Sequence, residues 1–119
     1  MAVTITETRT GTTKKITFDW VSSTGGAASG TTTFPYDGQV LLLQTVPSTS
    51  AAPTAAYTVA VTDVNGLDVL TAGGSTGRSA TVTEYTRSTA LGYVSNTTLS
   101  LAIAAAGDTK AGAVHLWVR

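Results

Sequence analysis

Apolar and polar residues alternate along most of this chain with a period of two, the pattern of strands that bury one face. Residues 14–22 place Ile16, Phe18 and Trp20 on one side and Lys15, Thr17, Asp19 and Val21 on the other. In residues 57–62, Tyr57, Val59 and Val61 oppose Thr58, Ala60 and Thr62; in 98–104, Leu99, Leu101 and Ile103 share a face. Residues 113–118 set Val114, Leu116 and Val118 against His115 and Trp117. At the start, Val3 and Ile5 alternate with Thr4, Thr6, Thr8 and Thr10, which predicts an edge strand or an extended N-terminal arm over residues 1–12. Residues 79–85 read as a further strand. Residues 87–95 show no decisive period and leave room for a helical turn.

One segment breaks the alternation. Val40-Leu-Leu-Leu43 is apolar on both faces, so its strand is either central to two packed layers or covered by a neighbouring subunit. The punctuation between strands is clear: Pro35-Tyr-Asp-Gly38 reads as a turn, and residues 24–33, 47–53 and 71–77 read as loops of small and polar residues. Asn65-Gly66 is the dipeptide that tight hairpins favour, and it joins the strand at 57–62 to residues 67–70. The expectation is an all-β, single-domain antiparallel sandwich or barrel of about eight short strands, spanning residues 13–119.

Composition agrees with that reading and narrows the partners. Charged residues are 12% of the chain, against about 25% in an average domain. Threonine supplies about a fifth of the residues, and its β-branched, polar side chain suits the wet face of a sheet. A net charge of zero gives no electrostatic footprint for nucleic acid or an anionic membrane. No apolar run reaches the roughly 20 residues that cross a bilayer, and Met1-Ala-Val-Thr-Ile-Thr-Glu7 lacks the basic start and apolar stretch of a signal peptide, so a cytosolic origin is expected. With no cysteine, stability rests on packing or association.

No constellation of residues identifies a reaction, and no catalytic residue, cofactor or metal site is assigned. Asp63-Val-Asn-Gly-Leu-Asp68 superficially suggests a calcium loop, but the twelfth position from Asp63 is Gly74 where a bidentate glutamate is needed. A two-residue loop at Asn65-Gly66 would set Asp63 against Asp68 as like charges. A wider loop, with the aspartates capping backbone N–H groups, is the better reading, ahead of a cation between them. Gly73-Gly-Ser-Thr-Gly-Arg-Ser79 fails as a phosphate loop in spacing, in its arginine and in the strand that follows. His115 is the only histidine and lies within a strand without a nucleophile elbow, so it reads as structural or interfacial. Trp20, Tyr36, Tyr57, Tyr85, Tyr93 and Trp117 are read mainly as core or interface anchors, with a sugar-binding platform as the alternative.

The segments Gly38-Gln-Val-Leu-Leu-Leu-Gln-Thr45, Pro53-Thr54, Tyr57-Thr-Val-Ala-Val-Thr-Asp63, Gly66-Leu-Asp-Val-Leu70 and Val114-His-Leu-Trp-Val118 together resemble small structural proteins from tailed-phage head gene clusters, above all head decoration, or cement, proteins. The likeness runs from Ile16 to the last residue and rests on strand and turn patterns; the segment 86–94 departs from it by being short. The resemblance implies a homo-oligomer, often a trimer, that sits on the outer surface of the mature capsid, contacts the major capsid protein and stabilises the shell. On this reading Val3, Ile5, Leu41, Leu43 and Trp117 are the interface positions, the first two in an arm that adds a strand to a capsid edge. A tail-tube, tail-tip or receptor-binding domain is the nearest alternative. A carbohydrate-binding module, requiring Trp20 and Trp117 on one flat exposed face, is more distant.

Overall fold

The alternating segments pair as antiparallel strands. The computed structural model describes residues 2–70, 78, 81–87 and 91–119, and among these are nine strands and no helix. They are β1 (Ala2–Thr10), β2 (Thr13–Val21), β3 (Ala28–Thr31), β4 (Tyr36–Pro47), β5 (Thr58–Thr62), β6 (Glu84–Arg87), β7 (Tyr93–Thr97), β8 (Ser100–Ala104) and β9 (Ala111–Val118). The larger sheet has the order β1-β2-β9-β4-β6, with β7 also paired to β4; the smaller has the order β3-β8-β5. The chain is an all-β sandwich.

The core forms where the apolar faces of the two sheets meet. Ile16, Phe18 and Trp20 of β2, Val114, Leu116 and Val118 of β9, and Val40 and Leu43 of β4 bury against Val59 and Val61 of β5 and Leu99, Leu101 and Ile103 around β8. Trp20 reaches across to Tyr57, with ring centroids 5.5 Å apart. Beside that contact lies buried Arg78, whose Nε donates to Thr45 Oγ1 at 3.1 Å and whose guanidinium pairs with Glu84 at 3.6 Å. Burial pushes the Tyr57 hydroxyl above its ordinary pKa, opposed by Thr45 and Arg78.

Four elements either decide between the sequence-based alternatives or differ from the expectation. Residues 2–10 are an edge strand hydrogen-bonded to β2 from Ala2↔Val21 to Thr10↔Thr13, so in this structure they are part of the sheet and not an extended arm. Residues 24–33 contain β3, invisible as a strand because its side chains are small: a Cβ on Gly30 would come within 2.9 Å of Val3 Cβ. The Pro35-Tyr-Asp-Gly38 signal lies at the start of β4, where Gly38 has φ 122 and sits at a register shift against β7. A side chain there would collide with the Arg119 backbone, so glycine marks an irregular strand instead of a turn.

The fourth is the Pro53 to Leu70 hairpin. β5 pairs along its length with β8, and residues 67–70 return toward it through the Thr62↔Asp68 bridge, the Val69 N–H to Val61 carbonyl bond and the Asp63 N–H to Leu67 carbonyl bond, without forming a strand. Strand β6 covers only the end of the 79–85 expectation; Ser79 and Ala80 lie outside the described residues, as does the loop at 71–77. In the ambiguous 87–95 segment, residues 88–90 are likewise outside them, and Tyr93 onward is β7.

Candidate interaction surface

The side chains that alternate away from the core project from the outer face of the larger sheet, and strand register sorts them into rows. Leu42, Trp117, Lys15 and Thr8 form one row across β4, β9, β2 and β1. Tyr85, Gln44, His115, Thr17 and Thr6 form the next, starting on β6. Val46, Ala113, Asp19 and Thr4 form a third. No described strand lies over these rows.

Contacts between neighbours hold the face in place. Lys15 Nζ lies 5.2 Å from the centroid of the Trp117 ring, a cation–π distance, and Trp117 packs beside His115 at 5.9 Å. His115 Nδ1 and Thr17 Oγ1 are hydrogen-bonded at 3.0 Å, and Gln44 Nε2 donates to the Tyr85 hydroxyl at 2.9 Å. Burial, reinforced by nearby Lys15 and opposed by Asp19, lowers the His115 pKa and favours the neutral ring. The face is thus preordered, largely uncharged, and centred on a half-buried indole.

The positions expected at an interface separate on this map. Trp117 is on the outer face. Leu41 is the extra residue of a bulge between Val40 and Leu42 and is half-buried. That bulge turns Leu43 inward with Val40, so Leu43 is fully buried in the core and offers no surface. Val3 and Ile5 stand opposite Trp20 and Phe18 and pack partly buried against the core, which leaves Thr4, Thr6 and Thr8 facing outward. Trp20 is also core, so it and Trp117 lie on opposite faces of the sheet and form no common platform. Lys15 and Thr17 were readable as outward positions; Gln44 and Val46 were not, because the bulge at Leu41 sets their phase, and the adjacency of all of them with Ala113 depends on the order β2-β9-β4, which no local pattern encodes.

Elsewhere the polar groups serve the fold. Glu7 accepts hydrogen bonds from the Tyr36 hydroxyl at 2.5 Å and from the Thr33 and Phe34 N–H groups, tying β1 to the β3–β4 connection at the mouth of a cavity of about 400 Å³. Burial, then the Glu7 contact, raises the Tyr36 pKa. Asp63 Oδ1 accepts from the N–H groups of Asn65 and Leu67, and Asp68 Oδ1 from Leu70 N–H, the wide-loop capping expected of the two aspartates. No three His, Asp or Glu side chains converge as metal ligands among the described residues. Of the glycine-rich segment 73–79, only Arg78 is described, and it is buried among Thr45, Thr86 and Glu84. No family model matches the chain, and no curated protein sequence matches it significantly.

Proposed function

We propose that this protein is a structural component of a tailed-phage virion, a head decoration protein that binds the mature capsid lattice as a homo-oligomer and stabilises it. The observation that carries this reading is an ordered sheet with two open surfaces, the outer face around Trp117 and the threonine-rich edge at β1. An edge strand with unsatisfied backbone groups is suited to pairing with a strand of the major capsid protein, and a preordered face with few charges is suited to burial against another protein surface. The work is done by binding energy: a protein that binds the expanded lattice and not its alternatives stabilises it by mass action, about 2.7 kcal/mol per site at a hundredfold excess over Kd.

The test is direct localisation. Purified protein added to isolated capsids should co-sediment with expanded shells, leave unexpanded ones unbound, and raise the temperature at which the shells open. Cryo-electron microscopy should then place its density on the outside of the head. Density on the tail would move the protein to a tail part. Adhesion to cell-wall glycan by a monomer that ignores capsids would replace the proposal with carbohydrate binding.

A further inference from the structure

The outer face of the larger sheet is graded in height and charge about its middle row. On β2 and β9 that row is polar, with Thr17 and His115, and it rises at its β6 end to the exposed Tyr85 ring. Two residues along in one direction stand the tall side chains Trp117 and Leu42 with the cation Lys15; two residues along in the other stand Ala113 and Val46 with the anion Asp19. Lys15 and Asp19 are therefore equidistant from Thr17 on β2, as Trp117 and Ala113 are from His115 on β9. The low side is a shallow groove of about 420 Å³ whose lining includes Asp19, Val21, Val46, Ala111 and Ala113.

Such a surface is complementary to itself under one rotation. A two-fold axis lying in the interface along the Thr17–His115–Gln44 row places β2 over β2 and β9 over β9 of a second copy, with strands running antiparallel. Lys15 of each copy then meets Asp19 of the other, Trp117 enters the groove over Ala113, and Leu42 covers Val46. An axis along the strands would instead oppose Trp117 rows to each other and set the Lys15 row against its own kind. Charge and side-chain size both select the first axis.

We propose that a second copy of this chain packs on this face, forming a two-fold homodimer through the outer surfaces of the larger sheets. Packed sheets lie about 10 Å apart, a gap that lysine and aspartate side chains span together and that an indole fills from one side. Four strands at about 4.8 Å and seven residues at about 3.3 Å outline a patch of roughly 19 by 23 Å, which the short strand β6 extends at one side. Studded with side chains, its accessible area is of the order of the roughly 800 Å² per partner that a standard interface buries. The contact is isologous and closes on itself, and it leaves the β1 edge at its rim. The inference concerns self-association and does not depend on the decoration reading.

Sedimentation velocity of the full chain over micromolar to submillimolar concentrations tests it. The expected species is a dimer. Lys15→Glu or Asp19→Lys alone should weaken it by roughly tenfold or more through like-charge opposition, and the double variant Lys15→Glu/Asp19→Lys should restore it. Ala113→Arg, which fills the groove, should leave a monomer. Circular dichroism of each variant checks the fold, which these outward positions leave intact. A monomer at all concentrations, a trimer, or single charge variants that dimerise like the parent overturn the proposal. A monomer or trimer that still binds expanded capsids would overturn the dimer alone and leave the decoration role standing.

Discussion

His115 shows how one side chain can be tuned by its place on a sheet face. Its ring is flanked by Trp117 and hydrogen-bonded to Thr17, and burial holds its pKa below the ordinary 6.5. The unfolded chain, with an ordinary imidazole, takes up the proton first as pH falls. Stability is therefore independent of this group well above pH 6.5 and is lost as pH drops from 6.5 toward the depressed value. His115→Gln should remove that acid-side loss, seen as a urea midpoint that no longer falls across this window. Lys15 and Asp19, the charged groups named beside it, act in opposite senses on the shift and leave burial in control.

Among elements, the turn after β5 gives the sharpest contrast between local chemistry and long-range pairing. Asp63 closes its loop with two side-chain bonds, to Asn65 N–H at 2.8 Å and Leu67 N–H at 3.0 Å, and its backbone bonds Leu67 and Gly66. Asp63→Ala should cost about 1 kcal/mol in denaturant unfolding and Asp63→Asn less, since the amide oxygen can still accept. Adding or chelating calcium should leave the melting temperature unchanged. The capping role was legible in the aspartate and glycine spacing, as were the inward phases of β2, β5, β8 and β9, because each depends on neighbours in sequence. Other features were not. β3 is built from Ala28, Ser29, Gly30 and Thr31, whose small side chains carry no alternation. The β4 bulge shifts phase by one residue, so the two-faced run at residues 40–43 does not show which of its leucines turns inward, and Leu43 is the one that does. The pairing of β5 with β8, and the meeting of Lys15 with Trp117, are set by strand order across about forty and one hundred residues.

At the scale of the molecule, β9 and its neighbour β4 divide their side chains between two tasks. Leu116 faces the core and is fully buried, whereas Leu42, beside Trp117, faces outward and is half-buried. Leu116→Ala should cost about 3 kcal/mol of unfolding free energy through lost burial and a residual cavity. Leu42→Ala should change the unfolding of the isolated subunit by less than about 1 kcal/mol. It should nevertheless reduce self-association in sedimentation. If the proposed dimer forms, these two substitutions separate stability from assembly on one sheet, because one face is buried and the other is not.

The position of β9 between β2 and β4 also governs the order of events when the chain is made. Until residues 111–118 have emerged, the larger sheet lacks its middle: β1 and β2 can close their hairpin, but Ile16 has no Leu116 and Leu43 has no Leu116 to pair with. Nascent chains shorter than that hold two unjoined pieces with exposed edges, and the non-local pairings that complete the sandwich are of the slow-forming kind. The outer face of the larger sheet therefore cannot be complete before β9 joins β2 to β4.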